Sequence, residues 1–380
     1  MNRRQTDREV RGFCDEAFTP VSDALQAFAS DHEFHAQLSI YHRGHEVVDL
    51  CIGEVQADSL TGVFSASKGV GGLVMGLLVE RGLLNVNLPV SYYWPEFGQA
   101  DKDDIRVGDL LSHRAGLVGV PGGLTWDELL DSRRAAERLA QQRTAWTPGL
   151  FHGYHAFTIG VFADELCRRI TNRSLQAFYE EEIGAPFDID FHIGLPETED
   201  SRYLLVRPAS SPAPLPAALL DDLGSFAFND NPTLTDGDGE LLPNNAELRR
   251  AGNTSVGGVA SARGLAKLYA CTLGGGTLPK LFSDTTIECV GQLRSAGLDV
   301  VLGCEKRFGL MFLKPEPSAP FGSHAAFGHD GAGGTLGFAD PVYDLAFGYN
   351  VWPMVSPGGA DPRAVALSQV ARRCVRRLTT

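Results

Sequence analysis
The chain has 380 residues, 43% of them hydrophobic and 21% charged, with a formal net charge of −14 at pH 7. That composition is ordinary for a globular protein able to bury one large composite core, and its acidity argues against nucleic acid or an anionic membrane as a partner. Seven cysteines without C-x-x-C spacing suit reduced thiols, not a disulfide framework or a zinc site, so a cytoplasmic location is expected.

Residues 1–8 lack the apolar stretch of a signal peptide. Residues 15–32 follow as a predicted amphipathic helix, with Phe18, Val21, Leu25, Ala27 and Phe28 on its apolar side. Alternating patterns predict strands over 34–42 (Phe34, Ala36, Leu38, Ile40) and 46–53, joined by the turn His42-Arg43-Gly44. Helical patterns then dominate, at 65–82, 106–113, 126–142, 156–171, 174–183 and 261–273. The apolar run Gly69–Val79 within the first of them is too short to span a bilayer. Strands are predicted again at 307–314, 334–340 and 343–351, before a closing helix at about 362–378. That helix carries the one basic cluster (Arg363, Arg372, Arg373, Arg376, Arg377), which reads as a solvated face.

Strands at both ends with helices between them imply one antiparallel sheet built from the two termini, covered by the terminal helices. The expected division is a sheet domain from 1–62 and 300–380 and a mainly helical domain over 63–299, with an active site between them. Residues 195–250 are the least regular. They contain Pro208, Pro212, Pro214, Pro216, Pro232 and Pro243 and the run Asp236-Gly237-Asp238-Gly239, and read as a functional rim or a mobile segment.

Three segments carry candidate chemistry. Of six lysines, only Lys68 has a serine, Ser65, three residues upstream. At the start of a helix this spacing puts both side chains on one face, beside unpaired N–H groups and a partial positive charge that suit an alkoxide or oxyanion. The second is the constrained loop Trp146-Thr147-Pro148-Gly149-Leu150-Phe151-His152-Gly153-Tyr154-His155-Ala156. Tyr154 reads either as a loop anchor or as a proton-transfer group, phenolate-like if cationic Lys68 lies close. The third is Gly328-His329-Asp330-Gly331-Ala332-Gly333-Gly334, beside a strand, where glycines permit close approach and a main-chain N–H faces a ligand. There His329 is either structural or part of a site. A G-x-S-x-G elbow, an H-E-x-x-H pair and a nucleotide-type glycine loop are all absent, so no cofactor or metal is expected. His113 is expected to pack a helix end under the floor of the site.

Taken in order and spacing, Ser65-Ala66-Ser67-Lys68, Tyr154-His155-Ala156 and His329-Asp330-Gly331 resemble the three motifs of the class C β-lactamase-like superfamily, most nearly those of family VIII carboxylesterases. Leu111-Ser112-His113-Arg114-Ala115-Gly116-Leu117, Ile183-Gly184-Ala185-Pro186 and Phe191-His192-Ile193-Gly194-Leu195-Pro196 extend the likeness along most of the chain. The resemblance implies the penicillin-binding fold, an α/β sheet part plus an all-α part. It also implies an acyl-enzyme at Ser65 activated by Lys68. Tyr154 would be general base for attack and acid for the leaving group, and the N–H groups of Ser65 and Ala332 an oxyanion hole. His329, Asp330, Gly331 and Ala156 would face the substrate. Ala156 stands where the family pattern has asparagine, His329 where it has lysine, and Asp330 where small hydroxyl residues are common, all favouring a small-molecule ester over a β-lactam. An amide hydrolase of the β-lactamase or peptidase type, a biosynthetic acyltransferase and a non-catalytic scaffold of the same fold are the alternatives. The oligomeric state is not legible.

Overall fold
The computed structural model describes residues 9–355 and 358–378. The strands among them are β1 (Arg11–Cys14), β2 (His35–His42), β3 (His45–Ile52), β4 (Thr61–Gly62), β5 (Phe191–Ile193), β6 (Gly258–Ala260), β7 (Ser295–Leu298), β8 (Glu305–Phe308), β9 (Phe327–Asp330), β10 (Leu336–Asp340) and β11 (Leu345–Trp352).

The alternation in β2 sends Ala36, Leu38 and Ile40 into the core, each fully buried. His42 pairs with His45 across a two-residue turn in which Arg43 and Gly44 both have positive φ, the geometry that matches the twist of a hairpin. Six strands form an antiparallel sheet in the order β1-β3-β2-β11-β10-β9. The two termini meet at the β2–β11 seam, from Leu345 opposite His42 to Trp352 opposite His35. Helix Ala262–Leu273 packs on β2, β10 and β11, and helix Pro362–Leu378 packs on helix Thr19–Ala27. One continuous apolar core runs through sheet and helices. No helix among the described residues is long and apolar enough to cross a membrane.

Several boundaries differ from expectation. The span 307–314 is not a strand of the main sheet. β8 ends at Phe308 and pairs with β7 as a separate hairpin, because Gly309 turns back to Phe312 and Met311 has φ 63°. The third C-terminal strand is instead β9, inside the glycine-rich segment. β1 and helix Asp284–Gly291 were not anticipated, and the helix expected over 126–142 is two pieces, Trp126–Leu130 and Arg133–Gln141. Helix Ser67–Glu80 is buried on all sides down to Leu78, which explains its nearly unbroken apolar sequence. It is the post that carries the candidate nucleophile.

Candidate active site
Ser65 is positioned by the short sheet β4-β6-β5. The chain leaves β4, Val63 N–H donates to the Gly258 carbonyl at 3.0 Å, and Ser65 lies in the turn that enters helix Ser67–Glu80. Phe64, wholly buried, is held at φ 46°, a left-handed conformation that costs a bulky residue of order 1–3 kcal/mol and sets the direction of the turn. Ser67 faces away from the cleft, its hydroxyl accepting from Gly258 N–H at 2.8 Å and donating to the Phe64 carbonyl.

Lys68 is completely buried, and its Nζ has two neighbours, Ser65 Oγ at 3.0 Å and the Ser255 carbonyl at 2.9 Å. Burial pushes its pKa down to about 7, against an opposing pull from Asp330. A neutral amine has two N–H groups and one lone pair, so it can donate to Ser255 and accept the Ser65 proton. Ser255 is itself fixed, its hydroxyl donating to the Phe157 carbonyl at 2.6 Å and accepting from Gly160 N–H at 2.9 Å.

The Tyr154 ring stacks on Phe308 with centroids 6.1 Å apart and an interplanar angle of 14°. Lys68 Nζ is 5.0 Å from its centroid, and His113 packs beside it at 5.2 Å. His113, at φ 64°, thus takes the supporting place expected of it, and its Nδ1 accepts from His155 N–H at 3.0 Å. Burial raises the Tyr154 pKa, outweighing the interaction with Ser65 that lowers it. That direction is opposite to the one a cationic Lys68 close by would give. Both shifts favour the uncharged forms, an amine on Lys68 and a phenol on Tyr154.

His329 on β9 is almost fully buried, and Nδ1–H donates to the Asp330 carbonyl at 2.8 Å. Burial lowers its pKa to about 4, more than Asp330 raises it, so it is neutral at pH 7. Asp330 lines the cleft and accepts from Ala360 N–H at 3.0 Å. Gly331 is not a cleft residue: a Cβ there would lie 2.2 Å from the Val63 carbonyl oxygen, so it serves the close approach of β9 to the nucleophile strand. Among the described residues, the N–H groups of Ser65 and Ala332 donate to no backbone carbonyl.

Ser65, Tyr154, Ala156, His329, Asp330 and Ala332 line one cleft of about 300 Å³. Its outer wall comes from the irregular segment, through Leu215, Pro216, Leu219, Phe228, Pro232 and Leu234, and from Leu302 and Phe308. Sequence reasoning missed Ser255, Phe308, Asp299 and Lys306. Lys306 brings a cation into the cleft: burial opposes its charge, but Asp330 and Glu316, the latter 2.6 Å away, outweigh this and hold its pKa above the usual value. A larger groove of about 410 Å³ lined by Asp131, Arg133, Asp164 and Arg168 touches none of the candidate residues.

A family model described as beta-lactamase matches residues 24–370. The chain is 43% identical to EstA from Arthrobacter nitroguajacolicus, whose structure superposes with a TM-score of 0.90 over 97% of this chain and 99% of that one. A solved structure described as a family VIII carboxylesterase is 33% identical, with a TM-score of 0.86 over 96% of this chain and 100% of that one. The esterase/beta-lactamase LipL of Mycobacterium tuberculosis is 31% identical over 358 residues, 90% of this chain and 82% of the relative.

Proposed function
Because this chain belongs to the beta-lactamase family, we propose that it is a serine ester hydrolase working through an acyl-Ser65 intermediate. The observation that carries the reading is the contact between buried, readily neutral Lys68 and Ser65 Oγ. Lys68 Nζ takes the Ser65 proton as Oγ attacks the ester carbonyl, and the Ser65 and Ala332 N–H groups receive the oxyanion. When the tetrahedral intermediate collapses, Tyr154 O–H gives its proton to the leaving alkoxide, and the Lys68 ammonium restores the phenol. The net transfer is one proton from serine to alcohol. Water then attacks the acyl-enzyme, and its proton passes by the same groups to Ser65 Oγ.

The apolar wall suits an ester whose acyl or alcohol part is uncharged. In this reading the sheet region (1–62 and 300–380) and the helical region (63–299) act as two halves around the cleft, in a cytoplasmic protein. Transfer to an alcohol in place of water would use the same intermediate. β-Lactam hydrolysis is the second reading, favoured by what LipL is named for and opposed by Ala156 and by neutral His329. Labelling with a fluorophosphonate followed by peptide mass spectrometry tests the nucleophile. An adduct on Ser65 is expected, and an intact enzyme without one would favour a non-catalytic scaffold.

A further inference from the structure
We propose that Asp299 is a positioning residue for Tyr154, holding in place the main chain that carries the phenol; this rests on the proton-transfer role given to Tyr154 above. Asp299 follows β7 directly and is completely buried. Its Oδ1 accepts three N–H groups, from Tyr154 at 3.1 Å, Val301 at 3.0 Å and Leu302 at 2.8 Å. One carboxylate oxygen thus ties Tyr154 to the β7–β8 turn, across 145 residues of sequence.

The turn is closed around the same residue. Asp299 N–H donates to the Cys304 carbonyl and its carbonyl accepts from Gly303 N–H, both at 2.9 Å, while Val300 N–H donates to the His152 carbonyl at 3.0 Å. Leu302 and Cys304 from this turn line the cleft. On the other side of the phenol, Gly153 N–H donates to the His113 carbonyl and His155 N–H to His113 Nδ1, both at 3.0 Å. Three consecutive amides are therefore fixed, and the middle one, on Tyr154, is fixed by a carboxylate.

A charge-assisted acceptor is stronger than a carbonyl at the same place, and it is costly here. Burial raises the Asp299 pKa to about 6 against the pull of its three N–H donors, and Oδ2 has no hydrogen-bond partner among the described residues. A turn alone needs no such group, since a serine or asparagine supplies an acceptor without a buried charge. The geometry gives the carboxylate a purpose: it sets the phenol's distance from Ser65 and fixes the adjoining wall in one step.

The test is ester turnover by Asp299→Leu, which keeps much of the volume without an acceptor, and by Asp299→Asn, which keeps a neutral acceptor. Each is made in the wild-type and the Tyr154→Phe background. Asp299→Leu should lower kcat roughly 10²-fold with KM little changed, as expected for a misplaced catalytic group. Asp299→Asn should lose only about three- to tenfold, because a neutral acceptor is weaker but present. In the Tyr154→Phe background both losses should shrink below about threefold, since the residue acts through the hydroxyl. Equal losses with and without the hydroxyl overturn the positioning role and leave the proton-transfer reading standing. Wild-type turnover by Tyr154→Phe overturns that reading, and this role with it. If Asp299→Leu does not fold, Asp299→Asn decides alone: a loss that vanishes without the hydroxyl supports the role, and no loss or a persistent one overturns it.

Discussion
At the scale of single residues the proposed chemistry turns on Lys68, whose pKa burial lowers to about 7. The direction of the pH dependence follows from its sign. A lysine with its pKa lowered to about 7 is neutral above that pH and protonated below it, so kcat/KM should rise about tenfold per unit up to pH 7 and then level off. A profile still rising steeply between pH 8 and 10 would contradict a neutral Lys68. Ser65→Ala should abolish acyl-enzyme formation. Ser67→Ala, which removes a hydroxyl facing Gly258 and the Phe64 carbonyl, should do much milder damage to chemistry and act on stability through those lost bonds. Activity surviving Ser65→Ala but not Ser67→Ala would mean that the motif is read in the wrong register. Tyr154→Phe should cut turnover by roughly two to four orders of magnitude without unfolding the protein, and adding Lys68→Ala should cost little more than the worse single change. Fully additive losses would make Tyr154 structural. The spacing of Ser65 and Lys68 made their contact legible in sequence. Their protonation states were not, because burial that inverts a charge depends on packing from distant segments.

The informative element is the irregular stretch between residues 195 and 250, which lines the cleft with Leu215, Leu219, Phe228 and Leu234. Its prolines marked it as a rim, but no periodicity told which side chains turn inward. Because this wall is apolar, it should set the accepted chain length. Phe228→Ala should improve kcat/KM for longer p-nitrophenyl esters relative to acetate, and an unchanged chain-length profile would remove the segment from substrate recognition. Elements held by local pattern were legible: β2, β3, β10, β11 and the long helices lie close to where alternation and apolar periodicity put them. Elements whose own residues carry no clear alternation were not. The segment Gly328–Gly334 reads only as lying beside a strand, because its glycines dilute any alternation, yet Phe327–Asp330 itself pairs with β10. β8 was misjoined to the span after it because nothing in the composition reveals the reversal at Gly309.

For the whole molecule, the central claim is that a beta-lactamase-family architecture has been turned toward esters. The motif departures at Ala156 and His329 were legible in sequence, but Lys306 was not, and it restores a cation to the cleft. Its charge is engaged by Glu316 and Asp330, so a substrate carboxylate would meet a neutral imidazole and a compensated ammonium. That forfeits a charge-assisted contact worth about 1.5–3 kcal/mol, and the missing amide at Ala156 forfeits about 0.5–1.5 kcal/mol more. An ester lacking both groups incurs neither loss. His329→Lys combined with Ala156→Asn should therefore raise β-lactam turnover relative to ester turnover, and an unchanged ratio would show that these positions do not set the preference. The most direct measurement is kcat/KM for a panel of p-nitrophenyl esters, from short to long, beside a chromogenic cephalosporin. The expected result is a best ester favoured by at least about a hundredfold, roughly 3 kcal/mol of transition-state discrimination; a cephalosporin hydrolysed as fast as the best ester would contradict it.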